Sequence, residues 1–305
     1  MANNANLGFE HRFSFMATGG TFDGTSPRFE VVSSSVRKRR EILGGMGVLG
    51  TRSPLEARSR QGVYHVEGTL AFDINPLMFD WFLPYILGTA EATDTFAVAD
   101  ALPGFDMMHD AFGSGTSAMK FVELYVNRFT LRGSATGLLR ATLDVIGKTV
   151  ATGQTFAGAA LGTTATTAAP YVFFDTASGV TINATVQEIE EFELTIDNAL
   201  EVKFRNAATA STIRATDRIV TLSATIPLTT TTLSTHFGDK AAADCTIVIT
   251  NGTVVTTFTL NNFKVADEGP EMNGKGEVPL VLRGRARGDG SDAFDVQTTV
   301  VGGSL

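Results

Sequence analysis

The chain has 305 residues, 43% of them hydrophobic and 18% charged, and its 32 acidic and 24 basic side chains leave a formal net charge of −8. The length allows about two domains, the even supply of aliphatic and aromatic residues excludes a disordered chain, and the acidic balance disfavours adsorption to nucleic-acid phosphate. With 31 Gly and many Thr and Val, strands and turns are favoured over a helical bundle.

The charged fraction lies below the roughly 25% typical of soluble domains, which points to a surface that meets other protein. Cys245 stands alone, so no internal disulfide can form. The first residues show neither the basic nor the apolar stretch of a secretory signal. The most apolar run, Pro76 to Leu87, is too short for a bilayer and carries Asp80 and Pro84. The expectation is a protein made and folded in a cytoplasm, without a membrane partner.

Residues 28–62 hold Arg28, Arg37, Lys38, Arg39, Arg40, Arg52, Arg58 and Arg60 against Glu30, Glu41 and Glu56, a local balance of +5. The stretch is Gly-rich, has no sustained apolar face and reads as a long loop kept for a use. Within it Gly45-Met46-Gly47-Val48-Leu49-Gly50 has the spacing of a dinucleotide loop. It follows a basic run instead of a buried strand, and no helical pattern opens after it. Residues 63–74 then alternate Tyr64, Val66, Leu70, Phe72 and Ile74 with His65, Glu67, Thr69 and Asp73, a half-buried strand. Asn75 as N-cap and Pro76 at the first helical position open a helix that stops at Gly88, with Ile74 and Phe79 placed to staple its start. Pro84 should kink this helix or confine it to its first two turns.

Asp106, His109 and Asp110 form the closest approach to a metal-binding cluster, and two carboxylates beside one imidazole in a loop are expected to be solvated. Residues 121–132 read as a strand whose apolar parity switches between Val126 and Phe129, as a bulge would require. Residues 139–145 place Leu139, Ala141, Leu143 and Val145 inward. Residues 151–169, uncharged and built almost wholly of Ala, Thr and Gly, read as a linker or surface loop. Glu188, Glu190, Glu191, Glu193, Asp197 and Glu201 follow with no basic residue among them. Phe192 to Phe204 keep one parity around Asp197-Asn198, implying a long strand or tight hairpin. Further strands are expected at 220–228, 246–250, 254–265 and 278–286. Cys245 reads as a core thiol, and Asp289 to Asp292 as a tight turn.

The two halves look like variations on one theme. Phe29-Glu30-Val31, Val66 to Leu70, Phe129-Thr130-Leu131 and Leu143 to Gly147 recur as Phe192-Glu193-Leu194, Leu222 to Ile226, Phe258-Thr259-Leu260 and Leu280 to Gly284. The expected organisation is a first β-sandwich unit over 1–150, a linker at 151–169 and a related unit over 170–305. A basic arm and an acidic strand edge suit head-to-tail contact between identical subunits. No catalytic, cofactor or metal constellation emerges, and an enzyme is not expected.

The segments VYHVEGTLAFDI, PLMFDWFLPYILG, FVELYVNRFTLRG, LLRATLDVIGK, VQEIEEFELTIDNALEV and RIVTLSATIPL, in this order across nearly the whole chain, resemble the major tail tube proteins of long-tailed bacteriophages. The resemblance implies a mainly β fold, a sandwich or barrel flanked by a short helix at Pro76–Leu87, with the expectation that this unit is duplicated in tandem. It also implies a virion protein without catalysis, whose rings stack into the tail tube and conduct DNA without binding it. The loop at about 37–61, with Arg37, Lys38, Arg39, Arg40, Arg52, Arg58 and Arg60, would stack one ring on the next. Glu188, Glu190, Glu191, Glu193, Asp197 and Glu201 would supply the complementary surface. Two tube units per chain would make a ring of three copies, pseudo-hexameric, and one unit a ring of six. Further partners implied are a tape measure protein and tail terminator or distal tail proteins. Two competing readings are a two-domain β-sandwich binding module, carbohydrate-binding or adhesin-like with Trp81 at a sugar platform, and a metal hydrolase around Asp106 and His109.

Overall fold

Apolar residues at every second position must share one face of a strand, and burying that face is what drives these segments into sheets. The computed structural model describes residues 8–44, 56–90, 92–113, 115–158, 168–176, 179–182, 185–227, 243–252, 254–267, 278–288 and 296–301. In chain order the elements begin with β1 (Arg12–Ala17), β2 (Arg28–Phe29), β3 (Ser33–Ser34), β4 (Arg37–Gly44), β5 (Ser59–Asp73) and α1 (Pro76–Leu87). Then come β6 (Thr95–Phe96), β7 (Phe105–Asp110), β8 (Ala118–Ser134), β9 (Arg140–Gln154), β10 (Val180–Ile182), β11 (Thr185–Gln187) and β12 (Glu191–Asp197). The remainder are β13 (Leu200–Lys203), β14 (Thr212–Ala215), β15 (Ile219–Pro227), β16 (Ala243–Asn251), β17 (Val254–Asp267), β18 (Pro279–Arg285) and β19 (Val296–Val301). The fold is mainly β, as the sequence pattern requires.

A continuous antiparallel run crosses the molecule in the order β4–β5–β9–β8–β12–β15–β18–β17. A second set branches from it: β2–β1–β7 joins the first half of β8, while β10–β16 and β19 join β17. The expected bulge lies in β8 between Val126 and Arg128. It lets Phe121, Leu124 and Val126 before it and Phe129 and Leu131 after it all stay buried.

Pairing order repeats between the halves. The run β4–β5–β9–β8 recurs as β12–β15–β18–β17, and β7–β8 recurs as β16–β17. Val66 lies between Lys38 and Gly147, and Leu222 lies between Leu194 and Gly284. Both glycines are sites of close approach. A Cβ on Gly147 would lie 2.5 Å from Leu124 Cδ2, and one on Gly284 would lie 2.3 Å from Phe263 Cζ. The sequence matches at Val66 to Leu70 and Leu143 to Gly147 keep this register, and the other two shift. Val36-Arg37-Lys38, not Phe29-Glu30-Val31, holds the place of Phe192-Glu193-Leu194. Leu124 lies opposite Gly147 as Val265 lies opposite Gly284, so Phe258 does not hold the place of Phe129, and the position that would match Phe129 falls after Asp267, outside the described residues. Phe258 instead faces Ile247 of β16 and Thr298 of β19. Short alternating blocks resemble one another, so the halves are compared by pairing partners and not by sequence alone.

α1 sits in the core. Asn75 Oδ1 accepts from Met78 N at 3.0 Å, and Gly88, at φ +110°, donates its amide to Pro84 O at 2.9 Å. The helix therefore runs through Pro84 to Leu87 and is not confined to two turns. Burial of Phe82, Leu83, Ile86 and Leu87 holds the last turn although Pro84 has no amide to donate. Phe82 packs on Phe15, Phe29 and Phe72, with ring centroids 4.9 to 5.4 Å apart. Phe79 packs on Tyr171 and Phe258 at 5.8 and 5.4 Å, so one helix joins apolar surface from both halves. Tyr171 Oη and Thr256 Oγ1 are 3.0 Å apart, and burial pushes the phenol up to about 12. Cys245 is a core thiol, likewise pushed up to about 12 by burial.

Three expectations are corrected. β12 and β13 do not form a hairpin: β12 pairs with β8 and β15, and β13 pairs with β14. Between them Asn198 is buried, and its Nδ2 donates to Ile86 O and Val126 O, both at 3.1 Å, so the chain turns a corner there. Ala199 follows at φ +44°, and Asn127, the bulge residue, accepts the Leu200 amide at 2.8 Å. The linker begins later than expected, because residues 151–154 still belong to β9, and 159–167 lie outside the described residues. Asp106 and Asp110 are buried in β7 and not solvated. Asp106 meets Lys120 Nζ at 3.1 Å and the Glu123 amide at 2.9 Å, and Asp110 meets Arg12 at 2.9 Å. Gly45 to Gly50 and Asp289 to Asp292 lie outside the described residues.

His109 stacks on Phe13 with centroids 4.3 Å apart and shares a hydrogen bond with His11 at 3.1 Å. Burial, then the neighbouring His11, pushes its imidazole down to about 4, against a smaller opposing pull from Asp110.

Two outcomes follow from this packing. Asn198→Ala leaves two buried carbonyls without their donor and should lower stability by about 2 kcal/mol, measurable by denaturant unfolding. Because the unfolded chain protonates His109 near 6.5 and the folded chain only near 4, stability present above pH 6.5 is lost as pH falls through that window. Thermal midpoints measured across it should fall, and the fall should be shallower in His109→Phe.

Candidate assembly surfaces

The basic segment is a two-stranded ribbon rather than a loop. β4 is exposed along its whole length and, among the described residues, pairs with β5 alone. Alternation divides its cations between two faces. Arg37 and Arg39 stand beside Glu67 and His65, and Arg39 Nε reaches Glu67 Oε1 at 2.7 Å while His65 Nε2 lies 3.1 Å from Glu67 Oε2. On the other face Lys38 Nζ and Arg40 Cζ lie 3.8 and 4.7 Å from the Tyr64 ring centroid. Such cation–π contacts at exposed sites are worth about 0.5–1 kcal/mol each. Arg40 also bonds Gln61.

Tyr64 anchors the ribbon to the body. Its hydroxyl is 3.1 Å from Thr149 Oγ1, and its amide donates to Ala208 O at 2.7 Å. Beyond the bulge at Glu41, Ile42 is 75% and Leu43 51% exposed, with Arg60 opposite Leu43 and Arg58 in a 3₁₀ turn before β5. Arg52 lies outside the described residues.

The second surface is the polar face of the long sheet. Thr142, Thr130, Thr195 and Thr221 are direct neighbours on β9, β8, β12 and β15, a threonine row across the joint between the halves. Charged rows flank it. In one, Asp73, Arg140, Arg132 and Glu193 follow one another from β5 to β12; in the other, Asp144, Arg128 and Asp197 do so. Arg140 Nε meets Asp73 at 3.1 Å, Arg132 Nε meets Glu193 at 2.7 Å, and Arg128 Nη2 meets Asp197 at 2.6 Å. The bond to Asp197 raises the Arg128 guanidinium above its ordinary value, whereas desolvation raises the Asp144 carboxyl. Exposed pairs of this kind contribute about 0–1 kcal/mol each, so their main effect is to fix register.

The expected acidic surface is therefore divided. Glu191, Glu193 and Asp197 share one face of β12; Glu191 accepts from Thr225 Oγ1 at 3.0 Å, and the other two hold Arg132 and Arg128. Glu188 and Glu190 are exposed just before β12, and Glu201 stands apart on β13, 3.1 Å from Lys203. The partners Arg128, Arg132 and Arg140 escaped notice in the sequence, although all three occupy polar-face positions of their strands. Trp81 is buried against Phe15 at 5.4 Å and offers no sugar platform. No group of three potential metal ligands converges among the described residues, and no helix there is long and apolar enough to cross a membrane.

A search among curated proteins gives no match. Residues 11–293 match the family model described as phage tail tube protein. Spanning nearly all of a chain whose strands continue as one sheet through both halves, that match establishes that the chain belongs to the phage tail tube protein family.

Proposed function

We propose that three copies of this chain close each ring of a phage tail tube, with each copy supplying two tube units. The observation that carries this is the repeated pairing order, β4–β5–β9–β8 and β12–β15–β18–β17, with Gly147 and Gly284 at matching positions. Two such units in one polypeptide give a pseudo-sixfold ring from three chains. As a structural member of the tail tube family, the chain works in the virion tail, and no step of bond chemistry is assigned to it.

The threonine row and its flanking ion pairs would line the bore. Arg128, Arg132 and Arg140 each hold a carboxylate there, so phosphate meets neutralised guanidinium groups and DNA slides without being held. The outer ribbon, with Ile42, Leu43, Arg58 and Arg60, would reach the next ring, where Glu188 and Glu190 are exposed and open to cations. Ring stacking engages several ribbons at once, so weak single contacts add to a strong whole through effective concentration. The bore would hold a tape measure protein during assembly, and tail terminator or distal tail proteins would cap the stack.

Chemical cross-linking of assembled rings followed by mass measurement should return three chains per ring, and six would replace this arrangement with single-unit subunits. Negative-stain images of the purified chain should show rings or hollow tubes; particles that stay monomeric would overturn the proposal. Arg58→Glu with Arg60→Glu should leave rings intact but shorten or abolish tubes, read as tube length in the same images.

A further inference from the structure

Where β1 pairs with β7, two histidines meet that the assembly surfaces do not use. Phe13 lies opposite His109 in this pair, so His11, two residues before Phe13, falls on the same face as His109. His109 Nε2 is 3.1 Å from His11 Nδ1, and the ring centroids are 5.0 Å apart with the planes tilted by 48°. His11 is exposed and His109 half-buried, so the two nitrogens meet within reach of solvent. Both rings are held in place. His109 stacks on Phe13 with 12° between the planes, while the His11 amide donates to Gly8 O at 3.3 Å and β1 begins at the next residue. Ligands already placed side by side lose little freedom when an ion joins them.

From this geometry we infer that His11 and His109 form a two-histidine site for a borderline transition-metal ion, Zn²⁺, Ni²⁺ or Cu²⁺, with water completing its coordination. Imidazole nitrogens bind such an ion at about 2.0–2.1 Å. Two nitrogens 3.1 Å apart then subtend about 100° at it, between the right angle of square and octahedral sites and the tetrahedral angle. Rings aimed straight at each other across this gap would have centroids about 5.4 Å apart, and rings converging on one ion about 4.9 Å. The measured 5.0 Å is nearer the second. A neutral imidazole carries one hydrogen, on either nitrogen. The hydrogen shared between the rings therefore moves to the other nitrogen of its own ring as the ion enters, and each ring presents a lone pair.

The neighbouring carboxylates decide the class of ion. Asp110 follows His109 in β7 and belongs to the other face, where Arg12 meets it at 2.9 Å and the Phe112 and Gly115 amides donate to it at 3.1 and 2.9 Å. Asp106 is held by Lys120 and the Glu123 amide. With their oxygens so engaged, neither supplies the oxygen shell that Ca²⁺ or Mg²⁺ requires, whereas imidazole suits Zn²⁺, Ni²⁺ and Cu²⁺. The bound ion joins the start of β1 to β7 on one face, as the Arg12–Asp110 pair joins the same strands on the other. In sequence the two ligands are 98 residues apart, so no metal-binding spacing shows there. The site stands independently of how many chains close a ring.

The test is calorimetric titration of the full chain, stripped with a chelator, with Zn²⁺, Ni²⁺ or Cu²⁺ alone. The unmodified chain is compared with His11→Ala, and His65→Ala and His236→Ala serve as controls for the remaining histidines. The expected result is one ion per chain, bound at least about tenfold more weakly by His11→Ala and equally well by both controls. Equal affinity in His11→Ala, or no binding to the unmodified chain at millimolar ion, would overturn the site. Should circular dichroism show that His11→Ala misfolds, diethyl pyrocarbonate footprinting of the unmodified chain decides the point. With Zn²⁺ at about ten times its dissociation constant, His11 should react about tenfold more slowly while His65 reacts as before. A His11 that Zn²⁺ leaves unprotected refutes the assignment.

Discussion

The antiparallel joint between β8 and β12 is the constraint on which the rest of the molecule depends. It runs from Arg128↔Asp197 to Ser134↔Glu191, and its register places Phe129, Leu131, Phe192, Leu194 and Ile196 in the core. A slip by one residue would turn every one of these side chains to the polar face. It would also separate Arg132 from Glu193 and Arg128 from Asp197, whose short bonds make the correct alignment distinguishable from its neighbours. Backbone pairing and apolar burial supply the stability, and the charges supply its uniqueness.

The helix enforces the same alignment from below. α1 is apolar nearly all round because it is covered on several sides: Phe82 by aromatic rings of the first half, Phe79 by Tyr171 and Phe258 of the second. Asn198 then ties the helix carbonyl of Ile86 to the bulged strand at Val126. A polar corner buried in this way is costly unless fully bonded, and it fixes where β12 ends and the next hairpin departs.

How much of this was legible in the sequence depended on whether a strand had one wet face and one dry face. Strands β5, β9, β12 and β15 did, and their alternation located them. The helix announced both of its ends, through Asn75 and Gly88. The β4 ribbon did not, because both of its faces are exposed, so Arg37 to Arg40 carry no apolar alternation and looked like loop. The split between β12 and β13 was hidden for the opposite reason: Asn198 preserves apolar parity across a corner, and only its buried amide bonds reveal the change of direction. The six acidic residues read as one surface from proximity in sequence. Three of them share the polar face of β12, two of those already holding arginines that the sequence pattern had not connected to them.

The isolated, deeply buried sulfur of Cys245 has a practical side. With its thiol held almost wholly protonated at neutral pH, alkylating and maleimide reagents would pass it by. A cysteine introduced on an exposed strand would then be the one reactive handle on each polypeptide. Fluorophores or gold clusters could be mounted at a chosen point of the particle without first removing a native residue from the interior.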